Sequence, residues 1–285
     1  MNLTKTMELT KLERKKNVWL TLFLGILLVI ILQGITVIPS DAIKNSGIKD
    51  VYLLFSNVFV IAGVIIFCRF FEKRSLLSLG INKNNFFKNL LIGGASAFLF
   101  MLFILVINVA SGAVDIHSNL TYVSWFYIIF TFLGYFFQGT MEEIVCRGFI
   151  MNSFAARYNV GIGIFVNTFI FALLHSLSSS VTPLAIFNIF LVGLVLSLIF
   201  YISDNIFLVG AFHAIWNFML GPVFGVEVSG LRIYSSLIKT ETVRSKSMIN
   251  GGDFGFEGGL AVTILTVIVL ILLYFVIKRK TKIIN

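Results

Sequence analysis

Residues 138–150 read QGTMEEIVCRGFI, which sets Glu142, Glu143 and Arg147 in a stretch otherwise apolar enough to face lipid. A charged side chain at the bilayer centre costs at least about 2.5 kcal/mol, so a carboxylate kept there is a functional-site candidate. On a helix, Glu143 and Arg147 lie four residues apart on one face with the acid first, the better order for an ion pair. Glu142 points roughly 100° away, where Arg147 is poorly placed to neutralise it. A carboxyl without a cationic partner in an apolar site is what a general base or acid requires. The plainer reading is a structural Glu143–Arg147 pair with Glu142 in a solvated turn, and this stretch alone does not separate the two.

Two of the three histidines also fall inside apolar runs. His175 ends FIFALLH, with Phe171 one turn earlier on the same face, and His213 opens HAIWN, with Asn217 one turn later. A lone histidine in a span is more often a satisfied interhelical hydrogen-bonding group than a reactive one. Two histidines, an amide and a glutamate pair in neighbouring helices make a more demanding set. A carboxylate beside an imidazole can polarise a water for attack on a carbonyl, while a second imidazole and an amide donate to the oxyanion that forms. Alternatively, Glu142, His175 and His213 could hold zinc, which takes three nitrogen or oxygen ligands and an open position. HExxH is absent and the three residues come from three helices, so no metal is favoured. A third reading is a proton relay in a transporter, although the internal repeat expected of many carriers is not evident.

The elements that must position these groups are membrane helices. The chain has 285 residues, 58% hydrophobic and only 12% charged, where a soluble domain carries about 25% charged residues. The expected fold is all-α, a polytopic bundle of about eight transmembrane helices. A polar segment, 1–17, precedes spans at 18–38, 51–71 and 90–110, so residues 18–120 form an N-terminal group of three helices. The first span lacks a small-residue cleavage site and reads as an anchor. The connector 72–89 reads as an interfacial helix, and Gly93, Gly94, Ala95 and Ala97 offer a small-residue packing face. Residues 121–220 hold four further spans: one from 122 that carries the glutamates, then 160–177, 184–202 and 206–220. Residues 221–259 read as a mobile extramembrane loop, and 260–285 as an eighth span with a basic tail.

The net charge of +9 arises from Lys and Arg at the ends of apolar runs, where they orient a membrane protein and give no reason to expect nucleic-acid binding. Placing these ends inside puts both termini in the cytoplasm. Counting about 1.5 Å per residue from a turn at Tyr158, Glu142 and His175 reach the same height. His213 joins them if that turn protrudes, and the four groups then meet in the cytoplasmic half of the bilayer. Cys68 and Cys146 have neither metal nor redox spacing.

In order, EEIVCR fits EExxxR, FALLH fits FxxxH and HAIWN fits HxxxN. Over residues 125–220 the chain therefore resembles the CPBP family of CAAX-processing and bacteriocin-processing intramembrane endopeptidases, also called Abi, with LSLGI of the connector a further point of likeness. The resemblance implies that Glu142 activates water with help from His175, and that His213 and Asn217 stabilise the oxyanion. Glu143, Arg147 and Phe171 would support them. It also implies a membrane-associated peptide or protein substrate met at the lipid bilayer, and leaves both metal-free and zinc-dependent chemistry open. A non-catalytic scaffold or bacteriocin self-immunity protein is the alternative. Residue usage rich in Lys, Asn and Ile suggests an AT-rich genome and the short connections a bacterial member, hence a multi-pass protein of a bacterial cell membrane. A cytoplasm-facing site would suit a membrane-associated peptide entering from inside or laterally between helices.

Overall fold

A computed structural model describes residues 1–178 and 180–284, with side chains as far as Arg279. The protein is a polytopic helical bundle. Six helical stretches among the described residues are long and apolar enough to cross a membrane, fewer than the eight expected: Val18–Ala42, Ser46–Phe71, Phe86–Ala110, Pro183–Ser203, Ile206–Val223 and Leu260–Arg279. The other two expected spans are helical but fall outside that group. One is diluted by the polar residues of the glutamate motif, and the other, Val160–His175, has only 16 residues.

The helices begin where side chains can satisfy their first amides. Helix α1 spans Lys5–Glu13, and α2, Val18–Val37, is capped by Asn17. Helix α3 is Ser46–Ile66, capped by Asn45, and α4 is Phe86–Ala110. Helix α5, Trp125–Glu143, runs without a break through a π-helical turn, Ile144–Met151, into α6, Asn152–Arg157. Helix α7, Val160–His175, starts at an Asn159 cap, and α8, Pro183–Ser203, at a Thr182 cap with proline in the first turn. Helix α9 is Ile206–Phe218, α10 is the short Ser247–Asn250, and α11 is Leu260–Ile284.

Phe23, Phe59, Phe103 and Phe165 point outward along the bundle, as side chains meeting lipid do. Helix α9 is central, packed against α4 and α5. Glycines allow this close approach. A Cβ at Gly93 would stand 2.1 Å from the Leu208 carbonyl oxygen, and one at Gly139 would stand 2.8 Å from the Ala214 nitrogen. Gly93 and the buried Ala97 thus form the small-residue face expected for the third span.

The two faces of the bundle differ. On the face carrying the termini, α1 is docked, with Met7 fully buried. Thr6 Oγ1 donates to Asp204 (2.6 Å) and Glu13 accepts from the Ser75 amide (2.7 Å). In place of the interfacial helix expected over 72–89, the chain makes a 3-10 turn, Leu77–Leu79. Beneath it Arg74 is buried, and burial pulls its guanidinium below its ordinary pKa.

The opposite face is capped by residues 221–259, folded onto the bundle and not the mobile loop expected. Strands β1, Val114–Ser118, and β2, Ile238–Thr242, form a two-stranded antiparallel sheet with Val114 opposite Thr242, an addition to the all-helical expectation. Phe254 and Phe256 are fully buried. Glu257 latches the cap to α9 by accepting from Trp216 Nε1 (2.9 Å) and from the Ser229 amide and hydroxyl (both 2.7 Å). Asn188 of α8 donates to the Glu257 and Gly259 carbonyls.

Candidate active site

The site forms where α5, α7 and α9 meet. Glu142 and Glu143 are the last residues of α5, and the π-helical turn begins at the next residue. Such turns insert a residue into the helical ladder and are frequent at functional sites. Arg147 lies within this one. Its Nη1 donates to Glu143 Oε1 at 2.9 Å, and its Nη2 to the Gly193 carbonyl of α8 at 2.9 Å. Both side chains are fully buried. A buried pair of this kind costs about 3–5 kcal/mol to break from one side, because the survivor is left uncompensated.

The same Glu143 oxygen accepts from His213 Nδ1 at 2.8 Å. A carboxylate acceptor at Nδ1 fixes that nitrogen as a donor and turns Nε2 towards Glu142 Oε2, 3.8 Å away. His175 approaches from α7. Its Nδ1 donates to the Phe171 carbonyl at 2.9 Å, and its Nε2 lies 4.0 Å from the same Glu142 oxygen. Phe171 sits among the three groups, its ring 4.7 Å from the Arg147 guanidinium carbon and 4.5 Å from the His175 ring.

The other Glu142 oxygen, Oε1, accepts from Gln138 Nε2. Gln138 in turn accepts from Asn217 Nδ2 at 2.9 Å. Asn217, Gln138 and Glu142 therefore form one hydrogen-bonded line. Glu142 Oε2 is left without a hydrogen bond and directed at two imidazoles. Gln138 opened the motif stretch in the sequence but received no role there. Its i,i+4 spacing to Glu142 was the available signal. Gly193, which receives Arg147, carried no such signal.

All the catalytic candidates thus come together: Glu142, His175, His213 and Asn217 line one cavity of about 600 Å³, with Gln138, Phe171 and Cys146 also in its wall. Glu143 and Arg147 stand behind it. The agreement in height follows from the protruding turn. Asn152 and Asp204 both bond Thr6 Oγ1 and so share a level. Tyr158 lies six residues beyond Asn152, roughly 9 Å at the helical rise. The third histidine, His117, is in β1 of the cap sheet, outside the cavity lining.

The cavity lies towards the capped face of the bundle, away from the face that carries the termini. Beyond the candidate catalytic groups its walls include Ile26 to Gln33 of α2, Asp50 to Leu54 of α3, and Ser229, Arg232 and Glu257 of the cap. No residue of α1, of the connector 72–89 or of the turn at Tyr158 contributes.

Two groups on one zinc, each at about 2.1 Å, lie roughly 3.4 Å apart in tetrahedral geometry. Glu142 Oε2 stands 3.8 and 4.0 Å from the imidazoles. Among the described residues, no three His, Cys, Asp or Glu side chains are grouped to hold a metal ion. Both separations exceed the zinc spacing by about half an ångström. One water at about 2.8 Å from each of two acceptors spans roughly 4.5 Å, so the observed separations fall between the two geometries.

Residues 123–219 match the family model described as Rce1-like, type II CAAX prenyl endopeptidase. The match is consistent with the CPBP family. It covers all three motifs and α5 to α9, and it leaves α1 to α4, the cap and α11 outside. No curated protein and no solved structure matches the chain.

Proposed function

We propose that the protein is an intramembrane endopeptidase that hydrolyses a peptide bond with a water activated by Glu142. The observation that carries this reading is the unpartnered Glu142 Oε2, facing His175 and His213 in a cavity within the bundle. The match to an endopeptidase family supports it.

The water donates one hydrogen to Glu142 Oε2 and the other to the bare Nε2 of His175. Glu142 takes a proton as the water oxygen bonds to the scissile carbonyl carbon, and the carbonyl π pair moves onto oxygen. Asn217 offers that oxygen the amide hydrogen not engaged with Gln138. Protonated His213, held through Nδ1 by Glu143, offers its Nε2 hydrogen. Donors fixed before the reaction stabilise developing charge without reorganising, worth about 2.7–4 kcal/mol for one donor. The carbon–nitrogen bond then breaks, and Glu142 returns its proton to the leaving amine.

The substrate is a membrane-associated peptide or protein, and the protein resides with both termini in the cytoplasm, in a bacterial cell membrane. Membrane peptidomes from cells with wild-type protein, Glu142→Gln and no protein test the reading. A fragment present only with wild type is expected. Identical peptidomes for wild type and Glu142→Gln, both differing from the null, would replace it with a non-catalytic scaffold or immunity role. On this metal-free mechanism, cleavage by purified protein is expected to survive a strong chelator. Loss on chelation with recovery on zinc addition would overturn the metal-free mechanism.

A further inference from the structure

The cavity has a floor and a mouth, and they lie on opposite faces of the bundle. The floor is sealed. Below Arg147, a Cβ at Gly148 would stand 2.5 Å from the Leu79 carbonyl oxygen, and Arg74 Nη2 donates to the Gly148 carbonyl at 2.9 Å. Phe149, Ile150 and Met151 are all buried there.

Towards the cap the packing is open. Helix α7 ends at His175, level with Glu142, whereas α5 begins 17 residues before Glu142, roughly 25 Å further towards the cap. The short α7 leaves the space above His175 unfilled. Leu177 and Ser178, just past its end, line the cavity, and Leu177 is 85% exposed. The remaining wall is amphipathic. Ile26, Val29 and Ile30 give it an apolar side, while Gln33, Asp50, Ser229 and Arg232 give it a polar rim.

The charges orient these faces in the membrane. Of the 22 Lys and Arg, fifteen lie towards the face that carries the termini and six towards the capped face, Arg147 at the site being the last. Of the 13 Asp and Glu, four lie towards the first face and seven towards the second, with Glu142 and Glu143 remaining. Fifteen Lys and Arg on one face against six on the other is the asymmetry that keeps the richer face in the cytoplasm, and the acidic residues weigh little in it.

We infer that the catalytic cavity opens on the non-cytoplasmic side of the membrane and takes a peptide or membrane-protein segment presented there. The apolar wall would hold the lipid-embedded part of such a segment, and the rim its polar end. That the occupant is a substrate rests on the peptidase reading above. The direction of the opening does not.

Three single-cysteine additions to the full-length chain test it in intact cells with a membrane-impermeant maleimide: Tyr122→Cys on the capped face, Asn84→Cys on the face of the termini, and Ser178→Cys in the cavity wall. The native thiols, Cys68 and Cys146, are buried, and wild type measures their background. Tyr122→Cys and Ser178→Cys are expected to label in intact cells, and Asn84→Cys only after permeabilisation. Labelling of Asn84→Cys in intact cells would overturn the orientation. Ser178→Cys following the Asn84→Cys pattern, or failing to label even after permeabilisation, would overturn the opening. No arm reads cleavage, so a Glu142→Gln peptidome identical to that of wild type would sink the peptidase reading and leave this result standing.

Discussion

Two buried polar clusters lie about ten residues apart along the continuous α5–α6 helix, and they differ in how completely the guanidinium of each is matched. The lower one is built on Arg74. Its Nε donates to Ser78 Oγ, its Nη1 to Ser153 Oγ, and its Nη2 to Thr10 Oγ1 and the Ser78 and Gly148 carbonyls. Every nitrogen of that guanidinium is engaged, and the cluster lies outside the wall of the catalytic cavity. The upper one is built on Glu142, Glu143 and Arg147. Glu142 Oε2, Glu143 Oε2 and Arg147 Nε have no hydrogen-bond partner, and Glu142 faces the cavity. A buried polar group left unpaired costs about 1–3 kcal/mol, and more if charged. The lower cluster spends its hydrogen bonds on holding helices together. The upper one keeps acceptors unspent, which is what a reacting water needs.

That contrast predicts that the clusters fail differently. Glu142→Gln keeps shape and the Gln138 contact but removes the base, and should lower cleavage about a thousandfold at unchanged protein level, read by product per immunoblotted protein. Asn217→Ala should lower kcat about a hundredfold with little effect on KM, since its free amide hydrogen is used only once the oxyanion forms. A KM effect of that size would place Asn217 in substrate binding instead.

Arg74→Met should act on the fold. Losing the charged donor set of the lower cluster is expected to cost about 3 kcal/mol, seen as a lower unfolding temperature in detergent and lower yield in membranes. Cleavage per surviving molecule should stay near wild type. A well-folded but inactive Arg74→Met would show that the support of Gly148 reaches into the chemistry, and the two clusters would have to be treated as one.

How much of this was legible in the sequence differs between the clusters and the cap. Charges and histidines in apolar runs announce themselves by their cost, and i,i+4 spacing assigned the Glu143–Arg147 pair and the faces of His175 and His213. Arithmetic on rise per residue put the groups at one height, because helices have a fixed pitch. It could not say which side was open. That depends on how α7's early end combines with residues 221–259, a segment without helical or alternating periodicity. The β1–β2 pairing joins strands more than a hundred residues apart, and Glu257 finds Trp216 across 41 residues. Contacts of that kind leave no local trace. The π-helical turn is equally silent: from within it Gly148 packs against Leu79 and Arg147 reaches Gly193, contacts that no local pattern announces.

Gln138 lies between these extremes and gives the smallest and most discriminating test. Its spacing to Glu142 was visible, yet an amide four residues from a carboxylate is commonplace on helices. Only the structure shows it donating to Glu142 Oε1 while accepting from Asn217. It touches both the base and the oxyanion donor, and on the reading above it touches no reacting atom, so it is a positioning residue. Gln138→Leu keeps the volume and removes both bonds, freeing Glu142 and Asn217 to rotate. A loss of about tenfold in kcat with KM unchanged is expected, because misplacement by a fraction of an ångström degrades geometry without removing a group. Asn217→Ala already disconnects one end of the line. Adding Gln138→Leu to it should therefore cost less than Gln138→Leu costs alone. Full additivity of the two would mean that Gln138 orients only Glu142, and the line of three would reduce to a pair.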